Sequence, residues 1–363
     1  MKKALVILCI VCLLLPSAAL ADEDESALVY QLLDENGETL TWYAGVPDPG
    51  DEYVTGDNWH YRVMQADHDA KLARTESLGR FELPDVSWLD EDSQPVSATK
   101  KAVAIYCTHS DESYEPGDGT SSKEQRGGIY DVAEKLKAAL EKKGVTVYYS
   151  DENHYPHDAG AYRRSRATAA SLAEEGVDAI FDVHRDGIPD ASQYESTVKG
   201  EDVTKVRLLV GRQNQNADAN KQFAAQIKAV ADKLYPGLVK DIYMGKGSYN
   251  QDLMSQAVLL EFGTHKSDKN EVLASTSYMA DVLNRALYGG VTGAAGKEKS
   301  PAKENSGGWT GVGWLVVIGL AALFLYAFAA SGNLQTAGNK MKRSFQEMTG
   351  GLLGGRHDDG GDE

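Results

Sequence analysis

Cysteine is nearly absent from this sequence, basic residues are outnumbered, and long uncharged apolar runs occur only near the two ends. Of three cysteines in 363 residues, Cys9 and Cys12 lie inside an N-terminal apolar run, which leaves Cys107 alone in the rest of the chain. An intramolecular disulfide is thereby excluded once that run is removed. Cys107 closes an apolar stretch, where a small buried residue is common, and reads as packing rather than as a nucleophile. Lysine and arginine total 37 against 54 aspartates and glutamates, a formal charge of −17. That balance excludes a nucleic acid or an anionic lipid surface held by a basic face. The length exceeds one average domain and implies one main domain with appendages.

The first apolar run, in MKKALVILCIVCLLLPSAALAD, follows two lysines, breaks at Pro16 and ends in small residues. This is the layout of a secretory signal peptide, residues 1–21, with Ala19-Leu20-Ala21 as the cleavage pattern and an uncleaved anchor as the alternative. Either way the chain that follows is exported. The second run, Val312 to Ala330, is uncharged for 19 positions, roughly 28 Å as a helix and enough to cross a bilayer core. Trp309 and Trp314 flank it on one side, and Lys340, Lys342 and Arg343 follow on the other. A single-pass transmembrane helix over 309–331 is expected, in the cell membrane, with the large N-terminal part on the outer face and a short, disordered cytoplasmic tail over 332–363.

Between these runs the texture changes twice. Residues 22–85 are acidic and turn-rich, with DENGETLTWYAG reading as two extended runs about an Asn-Gly turn, and predict a small β-rich appendage. His60 and His68 there read as surface histidines. Residues 86–100 form a linker by their prolines, serines and charges. From 101 to 288, Val- and Ile-rich runs alternate with helical patterns: AVAIY, then GIYDVAEKLKAALEKKG, VTVYYS, AYRRSRATAASLAEEG, VDAIFDVH, VRLLVG, ANKQFAAQIKAVADKLY and AVLLEFG. This alternation predicts an α/β fold of three layers, with helices on both faces of a largely parallel sheet. Residues 289–308 are a flexible tether.

In such sheets functional groups gather beyond the carboxyl ends of strands. Three strand endings, THSDES, DVHRDG and LLEFGTH, supply His109 with Glu112, His184, and Glu261. Two imidazoles and a carboxylate are the ligand set of one catalytic Zn2+ with a position left for water. Glu261, in an apolar strand that raises a carboxyl pKa, suits a proton shuttle. The bland reading of each histidine is a polar cap on a core. Glu261 weighs more, because a carboxylate in an apolar strand is costly unless paired or bound. His154, His157 and His265 are substitute ligands, and Asp111 could take the place of Glu112.

These residues also carry a resemblance. IYCTHSDESY, DVHRDG, LYPG and YNQDLMSQAVLLEFGTHKSDKNE resemble, in order and spacing, the stage II sporulation protein P family, over about Ala102 to Leu287. The resemblance implies an amidase-like sheet and a zinc-dependent N-acetylmuramoyl-L-alanine amidase, a cell-wall hydrolase that cuts peptidoglycan between N-acetylmuramic acid and L-alanine of the stem peptide during engulfment in sporulation. It implies stage II sporulation proteins D and M as partners, His109, Glu112 and His184 as metal ligands, and Glu261 as the catalytic carboxylate. Arg185 and Asp186 match as well, with the expected work of orienting His184 or the substrate. Two departures stand out: Cys107 replaces a frequent histidine, and the membrane span lies at the C-terminal end where the family's anchor is N-terminal.

Two other functions fit the same residues. A zinc carboxypeptidase or endopeptidase acting on the stem peptide would use the same ligands. A non-catalytic wall-binding scaffold would be expected to have lost some of them.

Overall fold

The computed structural model describes residues 28–90, 101–158 and 160–289. They form one eleven-stranded mixed sheet, a separate hairpin and five α-helices. The expected strands are found as β6 (Ala102–Tyr106), β7 (Thr146–Tyr149), β8 (Ala179–Asp186), β11 (Val206–Gly211) and β13 (Ala257–Thr264). The expected helices are α2 (Ile129–Glu141), α3 (Ala161–Glu174) and α4 (Ala217–Leu234). A short α1 (Glu115–Asp118), a long α5 (Lys269–Tyr288) and the strand β12 (Val239–Gly245) complete this part and had no counterpart in the sequence reading.

The expected fold class needs three corrections. First, the sheet is not largely parallel. Strands β6, β7, β8 and β13 run together, but β11 is antiparallel to β13 and carries β12 with it. A parallel return needs a crossover, usually a helix. After β8 the chain instead makes a hairpin, β9 (Glu195–Val198) with β10 (Glu201–Thr204), and comes back in the opposite direction.

Second, the N-terminal β region is no separate appendage. Strands β1 (Val29–Leu33), β2 (Thr39–Ala44), β3 (Glu52–Val54), β4 (Trp59–Asp67) and β5 (Leu72–Arg80) continue the central sheet, in the order β2-β1-β5-β4-β3-β12-β11-β13-β8-β6-β7. The join is β3 on β12, Val54 opposite Ile242 and Tyr53 opposite Tyr243. An uncovered β12 would be a long edge strand with apolar residues on both faces, and β3 removes that edge.

Third, the two faces have different covers. Helices α2, α4 and α5 bury Ile105, Phe181, Val183, Leu208, Leu260 and Phe262 on one side. Val132, Leu136 and Leu140 of α2 recur at helical spacing on that face, each stabilising by about 1.5–3 kcal/mol on burial. On the other side α3 packs over β6, β8 and the start of β13, and the N-terminal strands close over Leu209, Tyr243 and Leu259. The expectation of helices on both faces is therefore half met.

The transmembrane helix and the single-pass membrane placement are also corrected. Among the described residues no helix is long and apolar enough to cross a membrane, and the run 312–330 on which that expectation rested lies outside them. The expected signal peptide (1–21), residues 290–308 of the tether and the tail (332–363) lie outside the described residues too.

Candidate active site

Strand β6 ends in Cys107, buried, and Thr108, whose backbone N–H and Oγ1 both donate to Asp182 of β8, at 2.8 and 2.6 Å. That clamp fixes where the chain leaves the sheet. His109 follows, and a tight turn, with Glu112 N–H donating to His109 O at 3.3 Å, brings Glu112 back beneath it. The segment around Gly127 lies directly against this turn: a Cβ there would overlap Glu112 O, so a side chain is excluded.

Glu112 is buried, and its Oε1 is shared. His109 Nδ1 lies 3.2 Å from it and His184 Nδ1 3.4 Å. Its Oε2 accepts the Arg185 backbone N–H at 3.0 Å. Burial pushes the Glu112 carboxyl up, but His184, His109 and Arg185 together outweigh burial and hold it well below the usual range. His184 is also buried, and its Nε2 lies 2.9 Å from Asp182 Oδ1. Its imidazole thus stands between two carboxylates. Burial alone would lower its pKa, whereas Asp182 and Glu112 raise it well above the ordinary value. The rings of His109 and His184 are 4.9 Å apart and near perpendicular.

Glu261 lies one strand over, in register with His184 on β8 and with Arg207 on β11. Its side chain is 13% exposed, Tyr194 Oη is 3.4 Å from Oε2, and Arg207 Nη1 is 3.8 Å away. Burial, reinforced by the Asp186 charge and opposed by Arg207 and His184, pushes its carboxyl up to about 8. The four side chains named from the sequence therefore occupy the adjoining ends of β6, β8 and β13.

Over residues 58–284 the chain matches the family model described as "Stage II sporulation protein P (SpoIIP)". The chain belongs to the stage II sporulation protein P family. The matched region contains β4 and β5, so the family's own boundary includes part of the N-terminal strands. Stage II sporulation protein P of Bacillus subtilis (strain 168) is 29% identical over 260 residues, which are 66% of this chain and 64% of that relative. Among solved structures, an N-acetylmuramoyl-L-alanine amidase from Clostridium difficile 630 aligns at 13% identity over 52% of this chain and 95% of that one, with a TM-score of 0.35. An N-acetylmuramyl-L-alanine amidase from Mycobacterium smegmatis aligns at 19% identity over 51% and 94%, with a TM-score of 0.32.

The two flanking residues were expected to orient His184 or the substrate. Arg185 holds Glu112 through its backbone, while its Nη2 donates to Ser121 O at 3.1 Å. Asp186 Oδ2 accepts from Tyr194 Oη at 2.7 Å and from Arg207 Nη1 at 2.9 Å, next to Glu261. The second carboxylate beside His184, after Glu112, is Asp182, which the sequence reading missed. Its signal was present, since Asp-x-His on a strand puts both side chains on one face.

His157, a substitute ligand in the sequence reading, lies beside His109 and Glu112. His109, Glu112 and His157 offer ligand atoms that all lie within 4.8 Å of one another, and the His109 and His157 rings are 3.8 Å apart. Asn153 directs its loop, donating to Glu124 O and Gln125 O at 2.8 and 2.9 Å. Asp111, expected as a stand-in for Glu112, lies 3.3 Å from His157 Nδ1 and accepts from Ser122 Oγ at 2.6 Å. His154 is committed elsewhere, to Cys107 O and Thr168 Oγ1, at 2.8 and 3.0 Å. His265 is outside the cluster.

The donor set fits a divalent cation. Two imidazole nitrogens crowd one carboxylate oxygen, and a neutral His184 bearing its proton on Nδ1 would turn a bare Nε2 lone pair onto Asp182. With the proton on Nε2, 2.9 Å from Asp182 Oδ1, Nδ1 is free to bind a metal, and the carboxylate beside the imidazole is the arrangement that orients a zinc ligand.

Proposed function

We propose that this chain is a peptidoglycan hydrolase of sporulation, a zinc-dependent amidase that cuts between N-acetylmuramic acid and L-alanine of the stem peptide. The observation that carries the reading is the meeting of His109 and His184 on one oxygen of Glu112, with Glu261 in register on the next strand. Membership of the stage II sporulation protein P family supports it. On the same reading, stage II sporulation proteins D and M are expected partners, to be sought by co-purification.

His109, Glu112 and His184 would hold the ion, with Asp182 fixing the His184 tautomer and the Arg185 N–H fixing Glu112. The ion supplies polarisation of the amide carbonyl and an acidified water. Glu261 takes the proton of the attacking water and returns it to the nitrogen as the C–N bond breaks, which leaves a lactyl carboxylate and a free L-alanine amine. A carboxyl poised at about 8 sits close to the working pH for that exchange. Arg207 and Asp186 set that poise from opposite sides.

The experiment is metal analysis of the purified full chain, with mass spectrometry of the products from defined muropeptides, for the native protein and Glu261→Gln. Stoichiometric zinc and an intact released stem peptide, with the variant keeping its metal and losing product, are expected. Release of a terminal amino acid would replace the amidase with a carboxypeptidase, and absence of both zinc and product would leave a wall-binding scaffold.

A further inference from the structure

Around the candidate site, tyrosine hydroxyls serve the protein itself. Tyr194 Oη donates to Asp186 Oδ2 at 2.7 Å, Tyr114 Oη to Phe262 O at 3.0 Å and Tyr53 Oη to Asp241 Oδ2 at 3.2 Å. Tyr162, the second residue of α3, differs. Among the described residues its hydroxyl has no hydrogen-bond partner, and it is not sealed from solvent. Its ring nevertheless stands inside the site. It meets the His109 ring edge-on, at 5.5 Å and 63°, and lies nearly parallel to the His184 ring, at 6.3 Å and 16°. Burial, reinforced by the Asp182 and Glu112 charges, holds the phenol well above its ordinary pKa, so it remains a donor.

The rest of the residue is held firmly. Asn250, at a positive φ of 56° that costs a non-glycine residue about 1–3 kcal/mol, donates to Tyr162 O and Ser165 Oγ, each at 3.0 Å. Ser165 Oγ lies 2.9 Å from Thr108 Oγ1, the same hydroxyl that donates to Asp182. The first turn of α3 is thereby tied to the clamp that ends β6 and sets His184. The Tyr249 ring backs Tyr162 at 5.2 Å and 69°. A ring fixed in this way, with its hydroxyl uncommitted, is the arrangement that catalysis by a preorganised donor requires, since nothing has to reorganise when charge develops. Other donors near the site are occupied: Arg207 by Asp241, Asp186 and Thr41, and Arg185 Nη2 by Ser121 O.

We infer that Tyr162 is a catalytic residue, whose phenol O–H donates a hydrogen bond to the substrate's amide carbonyl oxygen as negative charge gathers there. Water adds to the carbonyl carbon, the new C–O bond forms, and the carbonyl π pair moves onto that oxygen while Glu261 takes the water proton. The C–N bond then breaks. Its electron pair goes to nitrogen together with the proton from Glu261, the carbonyl re-forms, and the resulting carboxylic acid ionises in water. Tyr162 keeps its proton throughout, so its hydrogen bond strengthens in the transition state and relaxes afterwards. The inference rests on the amidase reading for its reaction.

The test compares the full chain with Tyr162→Phe, which keeps the ring and removes only the hydroxyl. Four quantities are measured: kcat and KM on a defined muropeptide, zinc affinity by chelator competition, the unfolding midpoint, and calorimetric binding of a phosphinic analogue with tetrahedral phosphorus in place of the amide carbon. In Tyr162→Phe, kcat is expected to fall about 10²- to 10³-fold, the usual loss for one donor to an oxyanion, with KM unchanged. Affinity for the analogue should fall by a similar factor, because it carries the oxygens of the tetrahedral state. Zinc affinity and the unfolding midpoint should stay at native values, since the hydroxyl bonds to nothing in the folded chain. An unchanged kcat in Tyr162→Phe overturns the inference and leaves the amidase standing. A zinc affinity or midpoint that falls with the rate also overturns it, making Tyr162 a packing residue. A native chain that binds zinc and cuts no muropeptide removes the amidase and this inference together.

Discussion

The two faces of the sheet are built from the same strands and do opposite things. On β8, Phe181 and Val183 point into the helical layer, while Asp182, His184 and Asp186 point to the face closed by α3 and the N-terminal strands. Strand β11 alternates in the same way, with Val206, Leu208 and Val210 on one side and Arg207 on the other. The helical face is held by apolar burial, which tolerates loss in proportion to volume removed. The second face adds the pairing of buried charges to its apolar contacts around Leu209, Tyr243 and Leu259. Arg207 is fully buried, donates to both oxygens of Asp241 at 2.7 and 3.0 Å, to Asp186 at 2.9 Å and to Thr41 Oγ1 at 2.9 Å. A strand with period two can thus place a stable core and a reactive site back to back. The cost is that each buried charge on the second face depends on a partner from a distant part of the chain.

Breaking the second face at its reactive end has the largest expected effect. Glu261→Gln should lower the rate of muropeptide cleavage about 10²- to 10⁴-fold, the usual contribution of a positioned acid–base group, with bound zinc unchanged. Next comes Arg207→Met, which takes the guanidinium from Asp186 and leaves Asp241 with Lys240 alone, 2.7 Å away. Denaturant unfolding should show a loss of about 3–5 kcal/mol. Leu260→Ala, on the helical face one position from Glu261, should cost about 2–5 kcal/mol through the cavity it leaves, and should spare zinc binding. If Arg207→Met proved as stable as the native chain, the pairing would add nothing to what apolar burial supplies on the second face.

The faces should also differ in pH response. Glu261 has its carboxyl raised from 4.5 to about 8, so the folded chain holds that proton more tightly than the unfolded chain. The stability this contributes is present below about 4.5 and is lost as pH rises towards 8. In the presence of a chelator, unfolding midpoints of the native protein should fall across that window, and those of Glu261→Gln should fall less. Leu260→Ala should shift the whole curve without changing its slope.

The legibility of the molecule follows the same division. Apolar runs such as AVAIY and VRLLVG declare their strands because their neighbours are supplied locally by period and composition. The endings that hold His109, His184 and Glu261 could be read together because β6, β8 and β13 run parallel. Strand β12 could not be read, since Lys240 and Asp241 interrupt its apolar pattern and Asp241 is buried against Arg207 of β11 and Lys240. The docking of the N-terminal strands was hidden for the same reason: Thr41 reaches Arg207 across 166 residues of sequence. His157 comes from a loop whose path depends on Asn153 bonding to the segment around Glu124, which no local pattern records.

The smallest of these effects concerns Asp182, where the two faces meet at the site. Its carboxylate accepts from Thr108 twice and faces His184 Nε2, so it both ends β6 and sets the imidazole. Asp182→Asn keeps the shape but replaces one acceptor oxygen with a donor and removes the charge that holds the His184 proton on Nε2. Zinc affinity, measured by competition with a chelator, should fall about 10- to 100-fold, the range seen when a metal ligand loses its orienting partner. Val183→Ala, the neighbouring residue on the helical face, should leave that affinity unchanged and lower only the unfolding midpoint. An unchanged affinity in Asp182→Asn would mean that Glu112 alone orients His184, and that the Asp182 carboxylate serves the strand end rather than the metal.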